Sequence, residues 1–217
     1  MKNLVVTATL LVLAVGLAGA APGEPEATIN LPPPRTEGGK PLMVALKERQ
    51  TTRAYSPKPL PAQVLSDLLW AAWGINRPES GKRTAPSARN WQEIDMYVVL
   101  PQGAYIYDAK GHSLRLVVPG DLRAVTGTQA FAAAAPLNLV FVADVTRMKG
   151  APPAMQEFYY GADTGFISQN VYLFCASEGL GTVVRGLVDR DALAKALSLP
   201  DHCKVVFAQS VGYPATE

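Results

Sequence analysis

The chain has 217 residues, with 20 Lys and Arg against 18 Asp and Glu and only two cysteines. So even a charge balance offers no field that would recruit nucleic acid or an anionic membrane surface. Two cysteines exclude a disulfide-dense scaffold, and the length allows one domain with a sizeable core.

The first segment stands apart from the fold. Lys2 is followed by the apolar run NLVVTATLLVLAVGLAGA, which closes on Ala18, Gly19 and Ala20. A basic start, a short apolar stretch and an A-x-A end are the marks of a secretory signal peptide, and the stretch is short for a membrane span. No cysteine follows to take a lipid and no arginine pair precedes it, so residues 1–20 are expected to direct ordinary Sec export. The mature protein is then periplasmic or extracellular, without a membrane span. Residues 21–40, APGEPEATINLPPPRTEGGK, are rich in Pro, Gly and Glu and lack periodicity, as in a flexible tether or a wrapping arm. Residues 41–217 form the single domain.

Within that domain Leu42 to Glu48 reads as a short helix. A second opens at Pro61, a residue suited to a first helical turn, and carries Val64, Leu65, Leu68, Leu69, Ala72 and Trp73 at helical spacing up to Gly74. Residues 75–92 read as a long polar loop, a length that is usually functional or disordered. EIDMYVVL (93–100), AYIYD and HSLRLVV follow as an antiparallel meander, and LNLVFVAD (137–144) as a short buried strand. Residues 126–135 are expected to be helical, as are 154–178 and 190–199, with Asp189 placed to cap the last of these. TVVRG and CKVVFAQSVGY supply the remaining strands. Helices interspersed with a meander argue an α+β fold rather than a doubly wound one.

Several chemistries have no motif here: no nucleophile elbow, no P-loop, no paired CxxC. His202 beside Cys203 is far from a four-ligand set, so no metal is expected. Gly179, Gly181 and Gly186 follow a helix at the wrong spacing for a dinucleotide fingerprint. Cys175 falls in an apolar helical run, the setting of a buried free thiol, while spacing alone leaves open whether it meets Cys203 in a disulfide.

Three polar clusters remain. In KERQTTRAY (47–55), Arg49, Thr51 and Arg53 could converge as a bidentate phosphate clamp, or form the solvated basic end of a helix. In TAPSARNWQ (84–92), Pro86 stiffens the backbone while Ser87, Asn90 and Gln92 present the donors and acceptors that a heterocycle edge requires, or simply a polar loop. In GLGTVVRG (179–186) glycines allow close backbone approach to a flat ligand, or cap a helix before a buried strand. A phosphate, a polar ring edge and a close wall describe a flavin mononucleotide better than a metal, sugar or nucleic acid.

These motifs, in this order, resemble the FMN-dependent nitroreductase superfamily over about residues 42–214. RQTTRAY is similar to the family's Arg-x-Ser/Thr-x-Arg/Lys phosphate motif, RTAPSARNWQ to its Pro-Ser-x-x-Asn-x-Gln segment, and DTGFISQNVYLFCASEGLGTVVRG to its central helix and flavin-facing strand. LLWAAWGINR, RTAPSA and YIYD look most like the branch containing thiazoline and oxazoline dehydrogenases. The resemblance implies an α+β homodimer with a central, mainly antiparallel sheet, flanking helices and FMN at two interface sites. Arg49, Thr51 and Arg53 would hold the phosphate and ribityl chain with Gln50 nearby. Pro86, Ser87 and Asn90 would lie by the isoalloxazine with Gln92 supporting the loop, and Val183, Val184, Arg185 and Gly186 would face the flavin N5 edge. No protein group is expected to be catalytic; the flavin carries hydride to or from a small organic substrate in a ping-pong exchange. The electron donor would be NAD(P)H or a redox partner.

Two departures stand out. The family's Pro-x-Glu-Gly is Val-Val-Arg-Gly here, replacing an acid by Arg185, and the chain ends GYPATE without the Lys-x-Arg that adds phosphate contacts in many members. Both favour the alternative of an exported, non-catalytic domain that keeps the fold; the retained clamp and loop oppose it.

Overall fold

The computed structural model describes residues 25–215; the expected leader at residues 1–20 lies outside them. In chain order the elements are β1 (Thr28–Asn30), α1 (Leu42–Glu48), α2 (Ala62–Trp73), β2 (Ile75–Arg77), β3 (Lys82–Arg83), β4 (Ile94–Leu100), β5 (Gly103–Asp108) and β6 (Ser113–Pro119). Then come α3 (Ala130–Ala134), β7 (Leu137–Asp144), α4 (Pro153–Glu178), β8 (Gly181–Arg185), α5 (Arg190–Ala196) and β9 (Cys203–Gly212). Seven strands make one sheet in the order β1-β6-β5-β4-β7-β9-β8, and β2 with β3 forms a separate hairpin. Every pairing is antiparallel.

The alternation along the strands builds two cores. Ile94, Met96 and Val98 of β4 and Leu137, Leu139 and Phe141 of β7 face the layer made by α2 and α4. Tyr97, Val99, Val140 and Val142 face the other way, where Leu193 and Leu197 close the second core. β7 is covered on both faces, which is why its sequence is an unbroken apolar run. Asp189 caps α5 as its position suggested, accepting from the Ala192 amide at 3.0 Å.

Helix α4 is the spine of the site. Pro153 sits in its first turn, and Gly179 ends it in the left-handed conformation (φ 69°). The Gly179 and Leu180 amides both donate to the Cys175 carbonyl, so the chain turns directly into β8.

Of the two readings of the Pro/Gly-rich arm, its described part takes the wrapping one: β1 pairs with β6, Leu31 enters the core, and Arg35 grips Asp67 through its amide and guanidinium. Two expectations need correction. The polar loop at 75–92 contains the β2–β3 hairpin and a 3-10 turn at Ala88–Asn90. The helix expected over 126–135 is split, with a 3-10 turn at Arg123–Thr126 and α3 on either side of Gly127. The reason for the break lies in Arg185, described below. Both cysteines are free thiols, Cys175 buried and Cys203 half-buried.

Candidate active site

The stretch RQTTRAY leaves α1 at Arg49 and runs between β8 and the C-terminal segment. The Thr52 amide donates to the Thr182 carbonyl at 3.0 Å, Ser56 to Tyr213, and Ala215 back to Ala54. A Cβ on Gly181 would lie 2.7 Å from the Thr52 side chain, so the approach of β8 to this loop requires glycine. The backbone is thus held on both sides while Gln50, Thr51 and Arg53 remain exposed and Arg49 half-exposed. Arg49 lies over the Tyr172 ring with its guanidinium carbon 5.4 Å from the centroid. Among the described residues, neither Arg49 nor Arg53 has a carboxylate partner.

Tyr172, on α4, joins two of the clusters. Its hydroxyl accepts the Val184 amide at 3.1 Å and lies 3.3 Å from the Thr51 hydroxyl. Sequence reasoning missed it, because an aromatic at helical spacing looks like core.

Along β8 the side chains alternate. Thr182 donates to the Ser210 carbonyl and accepts from Gln209 beneath α4. Val183 packs against Tyr55, Ala135 and Phe131. Arg185 is 4% exposed; its guanidinium donates to the Thr126 carbonyl at 2.8 Å and to the Asn138 side chain at 2.9 Å. A Cβ on Gly127 would overlap that guanidinium, and the Thr126 carbonyl it binds is where the expected helix breaks. Burial lowers the Arg185 pKa to about 10. The base at Arg185 is therefore spent on the interior, and the backbone of this stretch, half-buried Val184 and exposed Gly186 remain for a ligand.

The second cluster, the 84–92 loop, is strained and heavily tied. Arg89, Asn90 and Gln92 all have positive φ (50°, 56° and 49°), a conformation that costs non-glycine residues unless the surroundings impose it. The ties are numerous. The Gln92 amide donates to Ser87 Oγ, its side chain bonds the Gly81 carbonyl and Asn90, and Arg83 donates to Gln92 Oε1. Arg147 donates to the Gln92 carbonyl, and the Trp91 indole to the Lys149 carbonyl. Pro86 and Asn90 are left exposed at the surface of this loop.

Beneath the loop, Asp163 of α4 accepts the Ala88 amide at 2.8 Å. Against Asp163 lies Glu93, fully buried. Burial, then the Asp163 charge, raises the Glu93 pKa to about 7; burial raises Asp163 as well.

The structure therefore brings the first and third clusters together, at the Tyr172 end of α4, and places the second at Asp163. Nine residues of helix separate those anchors, about 14 Å at 1.5 Å per residue. Within one chain the three do not close on one point. The cavity of about 560 Å3 between α4, α5 and β9 contains none of the expected site residues. A second, of about 510 Å3, is lined by Gln50, Thr52, Lys47 and Tyr172.

Asp144 joins His202 and Cys203, their ligand atoms lying within 4.8 Å of one another. The sequence hid this because Asp144 comes from across the β7–β9 register. Asp144 is already engaged: Oδ1 accepts from the Thr146 amide and hydroxyl and Oδ2 from Arg147. The trio reads as a capped turn.

Comparison with known proteins decides the family. The family described as "Nitroreductase family" matches residues 46–213. The chain belongs to the nitroreductase family. This makes it a member of a family of oxidoreductases, and the resemblance of the ordered motifs holds at that level. A nitroreductase-family protein of Methanocaldococcus jannaschii is 30% identical over 167 residues, covering 72% of this chain and 84% of that one. The crystal structure of a Ralstonia eutropha protein described as a nitroreductase superposes with a TM-score of 0.85 at 46% identity, covering 88% of this chain and 91% of that one. The Escherichia coli microcin synthetase complex McbBCD, solved with truncated pro-MccB17 bound, contains a chain of the same fold. Its TM-score is 0.69 at 18% identity, over 78% of this chain and 70% of that one. Among the described residues no helix is long and apolar enough to cross a membrane.

Proposed function

We propose that this nitroreductase-family protein is an exported, FMN-dependent oxidoreductase acting on a small organic substrate. The carrying observation is the pair Arg49 and Arg53: two guanidinium groups without carboxylate partners among the described residues, on a backbone pinned to β8 and to residues 213–215. A solvated helix end has no need of that pinning. An anion does, because a bidentate fork binds best when its backbone is already in place. Arg49, Thr51 and Arg53 would hold the phosphate and ribityl chain, Ser87 and Asn90 the polar edge of the ring, and the Val183–Gly186 backbone its face. Bound there, a flavin supplies hydride transfer, first from a donor and then to an acceptor that takes its place. The protein's part is to bind, to orient and to exclude water; Tyr172 holds the Thr51 side of the pocket against β8.

The separation of the clusters supports a site completed by a second copy. The outward face of α4 carries Met155, Phe158 and Phe166 beside Ala162 and Gly165, and α1 exposes Leu42, Met43 and Leu46. Phe158 is 66% and Met43 75% exposed, a concentration of large apolar side chains typical of a covered interface. A homodimer would cover this face and bring one chain's 84–92 loop to the other's clamp. The thiazoline/oxazoline dehydrogenase-like branch remains part of this reading, resting on LLWAAWGINR and RTAPSA. Outside the cytoplasm nicotinamide cofactors are scarce, so direct oxidation of a substrate or a redox partner stands beside NAD(P)H as the source of electrons.

An absorption spectrum of the mature protein, purified after FMN is supplied, tests the reading. A bound-flavin spectrum with about one FMN per subunit is expected; a colourless protein that refuses FMN overturns it in favour of a non-catalytic domain of the same fold. N-terminal sequencing of secreted material checks cleavage after Ala20.

A further inference from the structure

The most unusual buried group in the molecule is Glu93. Its side chain is fully buried, and as a carboxylate neither of its oxygens has a hydrogen-bond partner among the described residues. The group against it is the carboxyl of Asp163, itself only 3% exposed. Two bare carboxylates there would repel, and burial would deny both their hydration. One proton between them removes the conflict: Glu93 becomes a donor and Asp163 an acceptor. Asp163 is the better anion of the two because its other hydrogen bond comes from the Ala88 amide, at 2.8 Å. That amide belongs to the 3-10 turn of the strained loop. The other charged group facing the pair is Arg147, which lies after β7 and is committed to Asp95, Asp144 and the Gln92 carbonyl. Arg83, on the loop's other flank, is held by Gln92 and the Trp73 carbonyl. Neither guanidinium forms an ion pair with Glu93 or Asp163.

We propose that Glu93 is a positioning residue: it shares one proton with Asp163, and that proton latches residues 86–92 onto α4 in the strained conformation that presents Ser87 and Asn90. The inference rests on the flavin reading only for what the loop is presented to. Glu93 touches no ligand; it acts through Asp163 and the Ala88 amide. When the proton is lost, two adjacent anions are left under the loop. The cheapest relief is for water to enter, with Arg89, Asn90 and Gln92 leaving their positive-φ conformation. The latch is closed on the acid side of the Glu93 titration and open on the alkaline side.

The test uses the full mature protein without added flavin, so that it stands whether or not FMN binds. Infrared difference spectra of wild type against Glu93→Gln, recorded at about pH 6, where ordinary carboxyls with pKa about 4 are ionised, and at about pH 9, should show a protonated-carboxyl C=O band of the wild type at the lower pH that is lost at the higher. Amide exchange in residues 88–92, corrected for its intrinsic pH dependence, should rise about tenfold for each unit by which opening lowers the Glu93 pKa. In Glu93→Gln, whose amide donates at every pH, it should stay low. A wild type without the carboxyl band, or a Glu93→Gln loop that still opens with pH, overturns the latch. FMN affinity then separates the two readings. A loop transition in a protein that never binds FMN leaves the latch and removes the flavin. Binding that is tight and equal at both pH values, with no transition, leaves the flavin and removes the latch.

Discussion

The two ends of α4 hold their loops by opposite means. At the Tyr172 end, RQTTRAY is fixed through its backbone, to Thr182, Tyr213 and Ala215, and its guanidinium groups, Arg53 exposed and Arg49 half-exposed, have no carboxylate partner among the described residues. At the Asp163 end the loop is fixed by side chains, with buried carboxyls, Arg83, Arg147 and Gln92 holding three residues at positive φ. The first arrangement suits a charge that must stay available: whatever rigidity it needs is supplied by groups other than the arginines themselves. The second suits a surface of polar edges, where shape matters more than charge and local strain is tolerable because many contacts impose it.

The sharpest way to break this comparison is to remove the available charges. Arg49→Ala with Arg53→Ala should weaken FMN binding at least about 100-fold, taking about 1.5–3 kcal/mol for each charged hydrogen-bonding group. The melting temperature should hold within a few degrees, since neither side chain supports the fold. Titration calorimetry and a thermal melt on the same sample decide it; unchanged affinity returns the stretch to a solvated helix end.

A smaller effect tests the backbone anchoring. Gly181→Ala puts a methyl group against Thr52 and should cost about 1–3 kcal/mol of stability in a denaturant titration. Thr52→Gly in the same chain, which also removes the Cβ that an alanine would leave 2.8 Å away, should recover part of the loss, whereas a fault elsewhere would not respond.

The smallest change is expected where sequence likeness alone would look for the largest. Arg185→Met removes the base that replaces the family's acid, yet should shift stability by only about 1–2 kcal/mol, because the lost hydrogen bonds are partly offset by relief of a buried charge. FMN affinity should stay within about threefold, less than about 1 kcal/mol. A loss comparable to that of the double arginine variant would show that Arg185 serves the ligand and not the interior.

The helices and strands were legible because their signals are local. The spacing of Leu65, Leu68, Leu69 and Trp73, the apolar run of β7 and the capping Asp189 each point to one outcome. The clamp was legible as residue types in a short stretch, and the family as motifs in order. What stayed hidden depends on groups far apart in the chain. Glu93 and Asp163 are 70 positions apart, and nothing near either residue announces a shared proton. The split at Gly127 is invisible without Arg185, whose guanidinium occupies the space a side chain would need. The direction of Arg185 was within reach: on an alternating strand it shares a face with Val183 rather than with Thr182, and Val183 is plainly a core residue. The choice between tether and wrapping arm stayed open for another reason: Pro and Gly prevent periodicity but do not prevent Leu31 and Arg35 from finding Asp67 and the core.

The place of β9 in the sheet bears on how this chain is made. It is the last strand in sequence, Cys203–Gly212, yet it lies between β7 and β8 and hydrogen-bonds to both. Until the ribosome has released those residues, β7 has a bare edge, β8 has no neighbour, and RQTTRAY cannot meet the 213–215 segment that pins it. The seven-stranded sheet therefore stays unfinished, and the loop at 49–55 unpinned, until residues 203–215 have emerged.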